Sequence, residues 1–509
     1  MIKMRKDISR EKLSDFLREK VGAFEFKSSV YYYGIVQSTR DDVVWINGLA
    51  GCRYGEILQF ENNVYGLALD LSEDSIGAVL LTAEADVAAG SLVRGSGKVA
   101  DVCTGDTVLG RVIDPFGRAL DGMPLSAINT RALEQRAPSI IDRAPVKRPL
   151  ETGILAIDSM IPIGRGQREL IIGNRQTGKT TIALAAIRNQ SPDDVICIYC
   201  AIGQKSATTA RIIHELTESG HMENTIVVAS SASDRPAMQY LTPFAGCAIA
   251  ESFMQEGHDV LIVYDDLSKH AVAYRTMSLL LERPAGREAY PGDIFYLHSR
   301  LLERSAQLSP DLGGGSMTAL PIVETVGGDI SAYIPTNIIS ITDGQIYLSS
   351  ELFFAGMRPA INLGLSVSRV GSNAQHDAIK WIGQRLRLAL SQYREIAVFS
   401  QFGTKIDAAT SQQIHRGERM QEVLKQAQDE TYLVSEEAVL LLALSHGVFF
   451  KMELSQISQA RKELLKYIHR VHPGSLHAIE STGDLTEEEM DTLKKAMDTF
   501  LEEYSHVGE

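Results

Sequence analysis

The residues with the clearest chemical potential form one glycine-rich segment, Gly173-Asn174-Arg175-Gln176-Thr177-Gly178-Lys179-Thr180. The spacing G-x-x-x-x-G-K-T predicts a phosphate-binding loop, because its backbone N–H groups can surround phosphate oxygens while the lysine reaches the terminal phosphates. An apolar run, Leu170–Ile172, precedes this loop and a helix-like stretch, Thr181–Asn189, follows it. The strand–loop–helix order indicates a site for ATP or ADP.

A magnesium ion normally accompanies the phosphates of such a ligand, and two side chains could hold it. The hydroxyl of Thr180 is a suitable oxygen ligand. A second apolar run, Val260–Tyr264, is followed by Asp265 and Asp266. We assign Asp265 to the Mg²⁺ shell, acting through a bound water. The alternative is that both aspartates only cap the helix that follows.

Hydrolysis requires a further group that orients the attacking water or accepts its proton. In ring-forming P-loop ATPases, a carboxylate stands just after the strand that follows the P-loop helix. Here that strand is Val195–Tyr199, and the next polar candidate is Gln204. An amide has no useful basicity near neutral pH, although a glutamine can orient water in GTPases. The sequence therefore favours binding without turnover.

Four regions of different residue pattern make up the chain, and the two central ones must position these residues. Residues 24–94 contain short β-rich runs that predict a small β-barrel; these runs are Val30–Val36, Val43–Ile46, Glu56–Phe60 and Ala78–Leu81. Residues 95–375 alternate apolar strands with helical stretches, which indicates an α/β core with a mainly parallel sheet. Its predicted strands are Leu170–Ile172, Val195–Tyr199, Thr225–Val228, Val260–Tyr264 and Ile338–Ile341.

The two ends of the chain are predicted to be helical. Residues 1–23 have the apolar spacing of an amphipathic helix, either solvated or docked on a partner. Residues 376–509 form a predicted C-terminal helical domain, and its last helix begins at a capping box made by Thr486 and Glu489.

Charge and composition exclude several functions. The formal net charge is −14, and residues 24–94 carry four basic against ten acidic side chains, which disfavours nucleic-acid binding. We find no apolar run of bilayer length, and no signal core follows Met1–Lys6. Cys197 and Cys200 match C-x-x-C, but they lie in a predicted strand, so we expect two buried thiols on opposite faces.

Four long segments resemble the alpha subunit of the rotary proton-translocating ATP synthase, within a similarity that spans residues 33–428. They are Asp158–Lys179, Val263–Leu281, Gly286–Arg304 and Arg358–Ser372. The resemblance implies a RecA-like P-loop core between an N-terminal β-barrel and a C-terminal helical domain. It also implies that Gly173–Thr180 binds the ATP phosphates with Asp265 in the magnesium shell.

The same resemblance assigns roles to residues that no spacing rule identifies. Gln204 stands where the catalytic beta subunit has its glutamate. The residues expected to line the adenine are Arg358, Pro359, Gln426 and Gln428. Arg369 resembles the arginine finger that reaches into the neighbouring beta subunit's catalytic site, and Ser366 matches a residue needed for activity.

The complex that this family forms alternates three such chains with three beta subunits around a central gamma shaft. We expect it on the cytoplasmic face of the inner membrane, with membrane contact only through the complex. The N-terminal helix is expected to dock on the delta subunit of the peripheral stalk. Two alternatives stay open from the residues alone: a self-sufficient hexameric export ATPase, which needs the missing glutamate, and a ring helicase, which needs a basic barrel.

Three positions depart from the family pattern. Asn174 replaces an aspartate in the P-loop, and Asp42 replaces a glycine in the barrel. The run Gln428–Ala438 also differs from the family pattern, on the adenine side of the site and within the C-terminal domain.

Overall fold

The computed structural model describes residues 32–82, 87–125, 129–400 and 407–507, so the predicted helix at 1–23 lies outside it. The strands are β1 Tyr33–Arg40, β2 Val43–Gly48, β3 Glu56–Phe60, β4 Tyr65–Leu71, β5 Ile76–Leu80, β6 Leu92–Val99, β7 Asp101–Thr104, β8 Val112–Ile113, β9 Asn129–Ala132, β10 Pro149–Leu150, β11 Ile163–Gly164, β12 Glu169–Gly173, β13 Val195–Gln204, β14 Thr225–Ser231, β15 Asp259–Asp265, β16 Ser316–Glu324, β17 Gly344–Leu348 and β18 Val367–Ser368.

The helices are α1 Leu155–Met160, α2 Lys179–Arg188, α3 Ser206–Glu218, α4 Pro236–Gln255, α5 Leu267–Leu280, α6 Ile294–Leu302, α7 Tyr333–Ile341, α8 Ser350–Phe354, α9 Asp377–Ser400, α10 Ala408–Val423, α11 Val434–His446, α12 Leu454–Val471, α13 Pro473–Thr482 and α14 Glu487–Val507. In the described parts of the chain, no helix combines the length and apolar character needed to cross a membrane.

The first six strands close into the predicted barrel, in the order β1-β2-β5-β4-β3-β6 with antiparallel neighbours. Its interior is a separate apolar core that includes Val44, Leu58 and Val93. The boundary that we placed at residue 94 falls inside β6, which continues to Val99 before β7 begins. The unusual Asp42 accepts a hydrogen bond from the Arg235 guanidinium at 2.7 Å, which ties the barrel to the start of α4.

The central sheet has eight strands in the order β18-β17-β12-β16-β15-β13-β14-β8. All neighbouring pairs are parallel except β17 and β18. The apolar runs predicted at β12, β13, β14 and β15 are confirmed, and these strands are buried almost throughout. Because the carboxyl ends of parallel strands share one edge, the loops after β12, β13 and β15 meet there.

One predicted strand is wrong. Residues 338–341 belong to α7, whose buried side chains Ile334, Ile338 and Ile341 follow helical rather than strand spacing. The strand of this region comes immediately afterwards, as β17, where buried and partly buried residues alternate. Strand β16, which lies between β12 and β15 in the sheet, was not predicted.

The C-terminal domain, α9–α14, is helical as predicted. The capping box before α14 is present, since Thr486 N donates to Glu489 Oε2 at 3.0 Å and Glu489 N donates to Thr486 Oγ1 at 3.3 Å. The expectation for the C-x-x-C pair is also confirmed. Cys197 and Cys200 are free, fully buried thiols that enter the two apolar cores on opposite faces of the sheet.

Candidate nucleotide-binding site

The phosphate-binding loop connects β12 to α2 at the centre of the sheet. Gly173 is required by close packing, because a Cβ there would lie 2.6 Å from the carbonyl oxygen of Leu348 in β17. Gly178 has a φ of 99°, in the left-handed region that glycine tolerates best. The next residue starts α2, so the loop ends at a helix N-terminus with its free N–H groups.

The lysine of the loop is almost fully buried. Its Nζ donates to the carbonyl oxygens of Gly173 at 3.0 Å and Asn174 at 2.6 Å. Burial lowers the pKa of Lys179, while the charges of Glu324, Asp266 and Asp265 act in the opposite direction. The Lys179 side chain is therefore held inside the phosphate-binding loop.

Asn174 joins three loops at the carboxyl edge of the sheet. Its Oδ1 accepts from Thr325 Oγ1 and from Gly328 N, each at 2.7 Å, beyond the end of β16. Its Nδ2 donates to Ser350 Oγ at 2.8 Å, beyond the end of β17. The amide uses both its acceptor and its donor here, without adding a charge to the phosphate loop.

Asp265 lies at the centre of a buried polar cluster. It accepts from Thr180 Oγ1 at 2.8 Å, from Tyr199 Oη at 2.5 Å and from Gln204 Nε2 at 2.9 Å. Burial raises the pKa of Tyr199 well above its usual value, so its hydroxyl remains a donor. The adjacent hydroxyl and carboxylate of Thr180 and Asp265 are the oxygen ligands that Mg²⁺ prefers, so these residues fit that ion.

The neighbouring aspartate has a separate task. Asp266 caps α5, because its Oδ1 accepts from Lys269 N at 2.8 Å. Burial raises the pKa of Asp266 to about 6, while the charge of Lys269 lowers it. Of the two aspartates, Asp265 contacts the phosphate-binding loop and Asp266 caps α5.

A cavity of about 650 Å³ extends from the phosphate loop to the C-terminal domain. Gln204 and Asp265 line it beside the loop residues, and the predicted adenine residues line its other end. The lining residues from the prediction are Gln176, Thr177, Gly178, Lys179, Thr180, Gln204, Asp265, Arg358, Pro359, Gln426 and Gln428. One cavity thus collects segments that lie more than 250 residues apart in the chain.

The remaining loop residues have other surroundings. Gly173 and Asn174 form the base of the loop, and the Arg175 side chain is 83% exposed, with its Nε 2.9 Å from Glu324 Oε2. Sequence reasoning missed several side chains of the cavity; they include Ile154, Arg211, Lys269, Glu324, Phe353 and Glu430. The guanidinium of Arg358 stacks 4.9 Å from the centre of the Phe353 ring, which gives the far end a flat, partly aromatic wall.

Gln426 connects the two domains through hydrogen bonds at the wall of the cavity. Its Oε1 accepts from Leu155 N at 3.0 Å, and its Nε2 donates to Gly153 O at 2.7 Å and to Glu430 O at 2.9 Å. The side chain thereby links the segment before α1 to the C-terminal domain and faces the cavity at the same time.

The two residues that the resemblance assigned to catalysis, Arg369 and Ser366, also lie outside this cavity. Arg369 is exposed near the edge strand β18, and its guanidinium donates to Thr342 O at 3.1 Å and Ile339 O at 3.4 Å. Ser366 is fully buried; its hydroxyl donates to Asn362 O at 2.7 Å and accepts from Tyr347 N at 2.9 Å. Neither side chain contributes to the nucleotide cavity of its own chain.

A P-loop after a central parallel strand, a buried aspartate on a nearby strand and a cavity between two domains define a P-loop nucleotide-binding protein. The family described as "ATP synthase alpha/beta family, nucleotide-binding domain" matches residues 153–368. The family described as "ATP synthase alpha/beta chain, C terminal domain" matches residues 375–500.

Similar curated proteins extend the match to nearly the whole chain. "ATP synthase subunit alpha" of Acetivibrio thermocellus is 53% identical over 98% of this chain and 99% of its own length. The proteins of the same name from Caldanaerobacter subterraneus and Clostridium botulinum are each 52% identical, over 99% and 97% of this chain and 99% and 98% of their own lengths. The chain belongs to the ATP synthase alpha/beta family, among its alpha subunits.

Proposed function

We propose that this chain is the non-catalytic, regulatory ATP-binding subunit of a membrane-associated rotary ATP synthase that makes ATP from ADP and phosphate with a proton gradient. It binds Mg-ATP through Lys179, Thr180 and Asp265. It supplies Arg369 to the catalytic site of an adjacent beta subunit. Membership of the family supports the nucleotide site and the ATP synthase role; the division of labour rests on the argument below.

The observation that carries the non-catalytic role is the amide at the end of β13. Gln204 donates from Nε2 to Asp265 Oδ1 at 2.9 Å and to Asp265 O at 3.2 Å. A group engaged as a donor to a carboxylate is not a proton acceptor for water. The cavity therefore offers the means to bind phosphates, whereas the position expected to activate water carries no base.

The position of Arg369 supports action in trans. Its side chain is exposed and lies outside the cavity of its own chain, so any phosphoryl group that it stabilises belongs to a neighbour. The backbone carbonyl oxygens of Ile339 and Thr342, at the end of α7, accept hydrogen bonds from the guanidinium. A planar guanidinium held in this way can present its remaining N–H groups as a fork to phosphate oxygens.

The assembly follows from the same proposal. Three copies alternate with three catalytic beta subunits around a gamma shaft, on the cytoplasmic face of the inner membrane. The N-terminal segment docks on the delta subunit of the peripheral stalk. This chain contacts the membrane only through its partners.

The test measures Mg-ATP hydrolysis by the full-length purified chain, with bound nucleotide quantified in the same sample. We expect stable binding without turnover. Lys179→Ala should abolish binding, and Lys147→Ala, at an exposed lysine outside the cavity, should not. Reconstitution with a catalytic partner should then restore hydrolysis.

Sustained turnover by the chain alone that disappears in Lys179→Ala would overturn the proposal in favour of a self-sufficient ATPase. In that event Glu324 is the carboxylate to test first, because it lines the cavity at the end of β16. Turnover that survives Lys179→Ala would indicate a contaminating enzyme, and the binding measurement would then decide whether the site holds nucleotide.

A further inference from the structure

Behind the adenine end of the cavity, two carboxyl groups are buried together at the junction of the two domains. Glu437, on α11 of the C-terminal domain, is 1% exposed, and Asp158, on α1, is 6% exposed. Asp158 lies close enough to Glu437 for its charge and its carboxyl oxygens to raise the pKa of Glu437. Among the described residues, no N–H or hydroxyl group donates to either carboxylate oxygen of Glu437.

The surroundings of the two carboxyls differ, and this difference places a proton. Asp158 accepts from Thr152 N at 2.9 Å, from Thr152 Oγ1 at 2.8 Å and from Gly153 N at 2.8 Å, all of which stabilise its ionised form. Glu437 has no comparable donor. Burial raises the pKa of both carboxyls, that of Asp158 to about 7 and that of Glu437 well above its usual value. Two neighbouring buried carboxylates cannot both remain ionised, and the three donors at Asp158 leave Glu437 as the group that keeps the proton.

We propose that Glu437 is a positioning residue for the nucleotide cavity: in its protonated form it donates a hydrogen bond to Asp158, which anchors the segment that Gln426 holds against the cavity. This inference rests on the nucleotide-binding function proposed above. It adds a residue of the C-terminal domain that touches no ligand yet controls the shape of the site.

The route from Glu437 to the cavity is short. Asp158 fixes the backbone of Thr152 and Gly153, and the carbonyl oxygen of Gly153 accepts from Gln426 Nε2. The N–H of Leu155 donates to the other end of the same amide. Ile154, in the middle of this segment, and Gln426 both line the cavity. A change in the Asp158–Glu437 contact is therefore transmitted through one hydrogen-bonded turn.

The charged groups around the pair reinforce the retention of its proton. Burial, followed by the charges of Asp158 and Glu151, raises the pKa of Glu437. Glu151 is paired with His376 Nε2 at 2.6 Å, at the base of α9. On the other sides, Glu436 faces His469 of α12 at 2.9 Å, and Glu480 of α13 accepts from Ser435 N at 3.0 Å. No cation among these groups contacts the Asp158–Glu437 pair directly.

The experiment compares ATP binding by the full-length chain and its variants at neutral and alkaline pH. In Glu437→Gln the amide replaces the protonated carboxyl as donor, so binding at neutral pH should be retained and should persist at alkaline pH. In the unsubstituted chain, loss of the shared proton should weaken binding at alkaline pH. Glu437→Leu removes the donor, so we expect about tenfold weaker ATP binding at neutral pH, as for one lost buried hydrogen bond. Glu436→Gln, at the neighbouring glutamate, is the matched control for both Glu437 variants.

A second measurement does not depend on binding or on the leucine variant folding. Infrared spectra at neutral pH should contain the band of a protonated carboxylic acid that is missing in Glu437→Gln and retained in Glu436→Gln. Absence of that difference, or identical pH profiles for the unsubstituted chain and Glu437→Gln, would overturn the inference. If the unsubstituted chain binds no nucleotide at any pH, the proposed function fails instead, while the infrared band still decides where the proton resides.

Discussion

Replacing Arg369 by lysine should change the stability of this chain little and strongly reduce the activity of the complex that contains it. In the structure, the guanidinium makes hydrogen bonds to Ile339 O and Thr342 O, at the carboxyl end of α7. A cation at an exposed helix end contributes about 0.3–1 kcal/mol, and lysine keeps the charge while losing the fork. The free energy of unfolding should therefore fall by about 1 kcal/mol or less.

The expected effect on catalysis is much larger. An arginine finger contributes about 10³–10⁵ to the rate, or about 4–7 kcal/mol of transition-state stabilisation. Arg369→Lys should thus leave ATP binding by the isolated chain unchanged and reduce steady-state turnover of the reconstituted complex by at least about 10³. Arg118→Lys, at an arginine that is also exposed, serves as the control. Turnover within about tenfold of the unsubstituted complex would refute the finger assignment.

Three further perturbations test other parts of the structure. Asn174→Asp adds a negative charge to the phosphate loop, so titration calorimetry should show Mg-ATP binding weakened by about 1 kcal/mol, and less so at high salt. Burial lowers the pKa of His298 to about 3, so at acidic pH the unfolded chain binds a proton that the folded chain does not. The free energy of unfolding should therefore decline as pH falls below about 6.5, by up to about 1.4 kcal/mol per pH unit. Urea unfolding at several pH values should show a smaller slope for His298→Phe. Arg304 forms a buried two-point pair with Glu251, at 2.6 and 2.8 Å, so Arg304→Met should cost about 3–5 kcal/mol in the same assay, and adding Glu251→Gln should recover part of the loss.

Elements with a long apolar pattern could be predicted from the sequence, and short ones could not. β15 is buried along its whole length and β13 almost throughout, and the apolar runs of both strands are unambiguous. Three of residues 338–341 are also apolar, but so short a run fits a strand and a buried helix equally well. The helix is distinguished only by a wider window, in which Ile334, Ile338 and Ile341 lie on one face of α7.

The phosphate-binding loop was predictable because one continuous segment of the sequence builds it. The other end is assembled from the segments around Ile154, Phe353 and Gln426, and no spacing rule relates positions so far apart. Glu324 was missed because its strand, β16, was not predicted; a carboxylate at the end of a central strand would otherwise have been an obvious candidate. Lys269 was within reach, since it lies one turn after the aspartates that end β15.

The segment Gln428–Ala438 shows what burial adds to residue type. In the sequence it is only an acidic stretch that differs from the family pattern. In the structure its first residue lines the nucleotide cavity, whereas Glu437, in the first turn of α11, is buried near Asp158. On the surface, a carboxyl group would be ionised and would have little effect on the stability of the fold. In the interior, without a hydrogen-bond donor, the same group must keep its proton or move away from a neighbouring carboxyl. Because Asp158 anchors the turn that Gln426 holds, the packing of the C-terminal helices and the shape of the nucleotide cavity depend on the same proton.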